Sequence, residues 1–191
     1  MLLTLENVTV GYRKPVLGPL SLTVSRGEVL GLCGSNGCGK STLLKSLSGE
    51  SRIFSGRLLK APGLQISLQK QHPARLFGFP LSTSEYLRLM GAENADLPER
   101  LQNLRHIRVD SLSGGQFQLL SVWACLASAA QLVLLDEPTN NLDPAGVTLL
   151  QDLLLKRRPD QAVVVVSHEQ SFMTGIATRL IDVSTLHNSE F

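Results

Sequence analysis

Gly34-Ser35-Asn36-Gly37-Cys38-Gly39-Lys40-Ser41 is the stretch that decides the fold. It fits the pattern G-x-x-x-x-G-K-[ST]. Glycines let consecutive backbone N–H groups turn inward around a phosphate chain, Lys40 then reaches the β- and γ-phosphates, and the Ser41 hydroxyl ligates Mg²⁺. A Gly-rich turn of this kind also arises by chance, in roughly one chain in a few hundred of this length. The flanks favour the phosphate reading. An apolar run at 29–33 leads in as a buried strand, and residues 41–47 follow with helical spacing. That helix points its N-terminus at the anion. Gly49 is placed to end it.

Downstream, Leu132-Val133-Leu134-Leu135-Asp136-Glu137-Pro138 reads as a hydrophobic strand ending in two carboxylates. In a parallel α/β sheet, ligands bind beyond the C-terminal ends of the strands. Asp136 is placed to hold Mg²⁺ through water, and Glu137 to polarise a water for attack on a γ-phosphate. Taken without the phosphate loop, two acids in a solvated turn would be an equal reading.

The remaining segments alternate in the way a doubly covered sheet requires. Residues 3–10 and 19–25 alternate apolar and polar, as half-exposed antiparallel strands do. Short strands are expected near 57–60 and 65–69, and buried strands at 162–166 and 180–183. Helices are expected around 82–90 and 97–106, and at 114–129, 147–155 and 170–178. Buried strands between helices predict a parallel sheet covered on both faces.

Composition narrows the function. The chain has 191 residues, 43% hydrophobic and 18% charged, which fits one packed domain rather than a disordered or coiled-coil chain. Eighteen basic against 16 acidic residues leave a net charge of +2, too little to suggest nonspecific nucleic-acid binding. The low charged fraction suggests that part of the surface docks against something else. Cys33, Cys38 and Cys125 form no CxxC or Cys/His cluster, which predicts a reducing compartment and no zinc site. The N-terminus lacks a basic n-region and reads as no signal peptide. The apolar stretch 119–135 is interrupted by Ser121, Ser128 and Gln131, so it reads as a buried helix running into a buried strand, and any membrane is supplied by a partner.

Leu112-Ser113-Gly114-Gly115-Gln116 opens the helix at 114, with Ser113 as its N-cap. By itself this is a capped helix. Lying between the phosphate loop and the paired acids, it resembles the signature sequence of the ATP-binding cassette (ABC) ATPases, and the resemblance runs from Leu3 to Val183. It implies an α/β fold: a P-loop NTPase parallel-sheet core, an N-terminal antiparallel β subdomain, and a short α-helical subdomain. The whole chain, 1–191, is then one nucleotide-binding domain, with the helical subdomain at about 72–128. The cofactors implied are ATP and Mg²⁺.

The resemblance also implies roles residue by residue. Gly34 to Ser41 and Thr42 cradle ATP. Tyr12 matches the aromatic that stacks on adenine, although the sequence by itself favours an exposed strand-end tyrosine. Gln71 matches the Q-loop glutamine that touches metal or attacking water. Asn141-Leu142-Asp143 matches the D-loop that crosses to a second subunit. His168 matches the switch histidine on the γ-phosphate, where a lone strand-end histidine is more often structural. Ser113, Gly115 and Gln116 match residues that grip ATP bound to the other cassette. Two cassettes must therefore meet head to tail, and a homodimer is the simplest completion.

Three departures from the family pattern stand out. Gln71 to Ser113 spans 42 positions (113 less 71), short for the helical subdomain. Leu119 and Ala124 stand where arginines commonly sit. The chain ends soon after His168. The segment 64–89 resembles zinc and manganese uptake cassettes, in which this region meets a membrane permease. That implies a permease docking near 72–90, on the cytoplasmic face of the membrane, with Phe77, Phe79 and Tyr86 either forming the contact surface or filling the subdomain core. The segments DEPTNNLD and VVVVSHEQSF resemble ribosome-acting ABC-F proteins instead. Single-cassette exporters remain a third resemblance. A P-loop kinase would leave the signature and D-loop without purpose.

Overall fold

The computed structural model describes residues 1–70 and 81–185. Two sheets enclose a helix. The first is antiparallel, in the order β2-β1-β4, with β1 at Leu3–Gly11, β2 at Pro15–Val24 and β4 at Arg52–Lys60. The second is parallel, with β3 at Val29–Cys33, β5 at Ile66–Gln69, β6 at Leu132–Asp136, β7 at Ala162–Val166 and β8 at Arg179–Asp182, in the order β5-β6-β7-β3-β8.

Alternation along the central strands divides the core in two. Leu30, Leu32, Leu132, Leu134, Val164 and Val166 face the cluster shared with the antiparallel sheet and with α1 (Lys40–Ser48). Val29, Val133, Leu135, Val163 and Val165 face the cluster built with α4 (Gly114–Ala127), α5 (Pro144–Leu155) and α6 (Gln170–Ile176). Both faces of the sheet are buried, so its strands read as continuous β-branched and leucine runs. Each fully buried Leu or Val here removes about 1.5–3 kcal/mol of apolar exposure.

Most expected elements are present with shifted ends. α1 ends at Gly49, left-handed at φ 87, as its sequence position predicts. α2 (Thr83–Leu89) starts at a Ser82/Glu85 capping box. α5 begins at Pro144, ahead of the expected 147, because Asp143 caps it and proline is favoured at the first helical position. β4 starts five residues before the expected 57. None of its residues is fully buried, so no clear apolar pattern marks it; it pairs with β1 through backbone bonds, with Ile53 and Leu58 packed partly against the core. The helix expected at 97–106 is only α3, Glu99–Gln102, followed by turns to Ile107. Tyr86 resolves one open alternative: it is buried against Phe117 and donates to Ser121 Oγ at 3.4 Å, so it fills the subdomain core instead of a docking surface. Phe77 and Phe79 lie outside the described residues. Among those that are described, no helix is long and apolar enough to cross a membrane.

Candidate active site

The loop between β3 and α1 is held open by its glycines. Gly39, the N-cap of α1, has φ 101, and a Cβ there would fall 2.9 Å from the Leu17 Cβ, so both backbone and packing require glycine. Lys40 is almost wholly buried, and its Nζ donates to the carbonyls of Gly34 at 2.8 Å and Ser35 at 2.9 Å. The ammonium thus lies across the loop, where arriving phosphate oxygens can replace neutral carbonyls with stronger charge-assisted bonds.

β6 delivers the two acids to the same place. Ser41 Oγ donates to Asp136 Oδ1 at 2.8 Å, which ties the first turn of α1 to the end of β6. Glu137 adopts a left-handed backbone, φ 51, uncommon for a glutamate. Its N–H donates to the Val166 carbonyl at 2.8 Å, and its Oε2 lies 2.9 Å from His168 Nδ1. A cavity of about 510 Å³ gathers Asn36, Gly37, Gly39, Lys40, Ser41, Thr42, Glu137 and His168 on one wall. The loop, the acids and the histidine singled out from sequence therefore converge. Gly34 and Cys38 sit behind the wall: a Cβ on Gly34 would lie 3.1 Å from Cys38 Sγ and 3.0 Å from Asp182 Oδ1. The Asp182 carboxyl is held below the usual carboxylate range by the Ser184 hydroxyl and N–H, with a smaller contribution from Lys40.

Three residues on the cavity were not singled out from sequence as site residues, Val16, Asn140 and Val166. Tyr12 is about half exposed at the end of β1 and is not on the cavity wall; Val16, at the start of β2, is. Gln71 lies outside the described residues.

A second cavity, about 740 Å³, shares no lining residue with the first. It holds Ser113, Gly115 and Gln116 at the start of α4 together with Asn141 and Asp143. Ser113 and Gln116 form a capping box: Ser113 Oγ accepts from Gln116 N–H at 3.2 Å, and Gln116 Oε1 accepts from Ser113 N–H at 2.9 Å. Asp143 Oδ1 accepts from Gly146 N–H at 2.6 Å, and the Arg100 guanidinium meets the same carboxylate at 2.9 Å. The Gly146 N–H first, and Arg100 after it, hold this carboxyl below its ordinary range. Arg100 was not legible as a site residue. Leu119 and Ala124 are both buried, Leu119 on the lining of this second cavity, and a charge at Ala124 would enter the core.

The ABC transporter family model matches residues 17–140. The zinc import ATP-binding protein ZnuC of Marinobacter nauticus is 35% identical over 188 residues, covering 94% of this chain and 73% of the relative. ZnuC of Yersinia enterocolitica is 36% identical over 171 residues, covering 85% and 68%. A solved structure described as an inward-facing metal-chelate type ABC transporter aligns with a TM-score of 0.76 at 28% identity, covering 95% of this chain and 79% of that one.

Proposed function

The chain belongs to the ABC transporter family as an ATP-binding, ATP-hydrolysing subunit, and we propose that two copies close head to tail on ATP to drive a membrane permease that takes up a metal cation. The relatives' names support the cargo and favour transport over the ribosome-acting and exporter readings. The permease would anchor the subunit at the cytoplasmic face of the membrane, with residues 72–90 near the contact.

The observation that carries the reading is the convergence of Lys40, Ser41, Glu137 and His168 on one cavity, with Asp136 buried behind it and bonded to Ser41, and of Ser113, Gly115 and Gln116 on another. Each chain then offers half of two sites, and a head-to-tail pair completes both. Ser41 Oγ and Asp136 Oδ1 are adjacent hard oxygen donors of the kind Mg²⁺ prefers, so these residues fit the ion and would hold it. When bound, Mg²⁺ neutralises charge on the transferring phosphoryl group. Lys40 grips the β- and γ-phosphates. Glu137 orients the attacking water and accepts its proton, and His168 fixes the carboxylate's direction from 2.9 Å. Tyr12, Ser35, Cys38, Asp143 and Gln71 keep the roles that the family resemblance implies.

Two variants test this. Glu137→Gln should bind ATP, lose turnover by about 10²-fold or more, and accumulate as an ATP-bound dimer in size-exclusion chromatography. Undiminished hydrolysis would remove Glu137 from the mechanism. Lys40→Ala should lose nucleotide affinity itself, and unchanged affinity by calorimetry would contradict the phosphate loop.

A further inference from the structure

Gln118 lies on α4, five residues past Ser113, and is buried at 2% exposure. A buried carboxamide needs partners for both ends. Its Nε2 donates to the Pro138 carbonyl at 3.0 Å and lies 3.5 Å from the Glu137 carbonyl. Its Oε1 accepts from Gln69 Nε2 at 3.4 Å. Gln69 is itself buried at the end of β5, and its Nε2 also donates to the Lys70 carbonyl at 2.5 Å. A chain of buried amides therefore runs from the end of β5, across α4, to the turn after β6.

That turn is where a fixed point matters. Glu137 holds a left-handed backbone that costs a glutamate about 1–3 kcal/mol and persists only where its surroundings enforce it. The Val166 carbonyl anchors the residue's N–H side. On the carbonyl side, the Asn140 N–H donates to the Glu137 carbonyl at 3.2 Å, and among the described residues Gln118 is the only side chain that donates to the backbone carbonyls of 137 and 138. The helix that carries Gln118 also presents Ser113 and Gly115 at the other half-site. One side chain thus joins the signature helix to the backbone of the general base.

We propose that Gln118 is a positioning residue: it sets the Glu137 carboxylate for water attack and makes that setting depend on the placement of α4. This rests on the role of Glu137 given above. Gln118 touches neither substrate nor metal, so its effect must pass through Glu137.

The test is steady-state ATPase kinetics of the full chain with Mg-ATP, combined with epistasis. Gln118→Met keeps the side-chain length and removes both hydrogen-bonding ends. It should lower kcat by about tenfold or more while KM for ATP stays within about twofold, since a displacement near 1 Å costs about 10²-fold. In a Glu137→Gln background the same substitution should leave the residual rate and the ATP-bound dimer unchanged. Gln69→Met cuts the amide chain at its other end and should lower kcat in the same direction, again at constant KM. A folded Gln118→Met or Gln69→Met protein with wild-type kcat overturns the proposal. So does an equal fractional loss of rate with and without Glu137, which would make the effect independent of the base. If Glu137→Gln itself hydrolyses normally, the general-base reading falls and this proposal with it. Failure of the proposal by itself is recognised by an inactive Glu137→Gln.

Discussion

Gly115 tests whether the second cavity works by its shape. It is the second residue of α4, and a Cβ added there would lie 2.7 Å from the Asn141 carbonyl oxygen, with the Asn141 carbonyl carbon at 3.7 Å and Leu142 Cδ2 at 3.8 Å. The first contact is about 0.7 Å short of ordinary van der Waals distance. The obstacle is backbone, in a turn where Asn141 is already left-handed at φ 64, so the strain falls on the D-loop or on the start of α4. Two stability terms oppose each other. Alanine in place of glycine favours the helix by up to about 1 kcal/mol. Overpacking costs about 1–3 kcal/mol. The net is a loss of about 0–2 kcal/mol, a few degrees of melting temperature in a chain of this size. Function should suffer far more. If the residues at the start of α4 grip a nucleotide across the proposed dimer, a shift of about 0.7 Å there should lower turnover by about 10- to 100-fold. Gly115→Ala should therefore melt within a few degrees of wild type, bind ATP at its own phosphate loop normally, and fail to form the ATP-bound dimer in the Glu137→Gln background. Wild-type dimerisation and turnover would refute the steric reasoning. Lost ATP binding by the isolated chain would refute the separation of the two cavities.

Two further outcomes follow from local electrostatics. Burial pushes the Cys125 thiol up to about 11, so in the native protein at about pH 8 it should resist alkylation while Cys38 reacts, and should label only after denaturation; mass-spectrometric mapping that found Cys125 labelled as fast as Cys38 would contradict the packing of α4. The Ser82 N–H, with its hydroxyl adding to it, lowers the Glu85 carboxyl below its usual range. A depressed carboxylate contributes stability that is present above its unfolded value and lost as pH falls through its folded value, so the loss belongs below about pH 4. Glu85→Gln keeps the capping box without the titration and should flatten the acid limb of a melting-temperature profile; an identical acid limb would remove the capping box from that dependence.

What could be read in advance followed what sequence encodes locally. The phosphate loop, the strand ending in Asp136 and Glu137, and the cap at Ser113 each place their chemistry within eight consecutive residues, and all three stand where expected. The misses are tertiary. β4 is an edge strand with no fully buried residue, and Arg52, Ser55 and Gly56 interrupt its first half, so periodicity gave no sign of its first five residues. The helix expected at 97–106 keeps its apolar face, since Leu97, Leu101 and Leu104 are all buried, but after Gln102 the chain continues in turns and pairs Arg108 with Ser82. Val16, Asn140 and Arg100 reach their cavities through backbone routes that no motif marks. The left-handed Glu137 was also invisible, because positive φ at a non-glycine residue is imposed by surroundings and not by the residue.

The helix α4 brings these particulars to one question, how two cavities without a common residue act together. Its N-terminus packs on the D-loop, where Gly115 leaves no room beside the Asn141 carbonyl. The D-loop's Asp143 is bonded in turn to Arg100 of α3. One turn further along, Gln118 holds the carbonyl after Glu137. Pro138 and Asn141 thus both lie against the same helix, which is densely buried from Phe117 to Leu126 and so resists deformation within itself. In the proposed head-to-tail dimer, a nucleotide pressed on Ser113 from the other copy must either move α4 as a unit or leave it still. If it moves, the D-loop and the Glu137 turn move together, since neither can slide along the helix without losing a buried hydrogen bond or a packed contact. Coupling between the half-sites then requires no long pathway: it is carried by two contacts, at Gly115 and Gln118, about one helical turn apart.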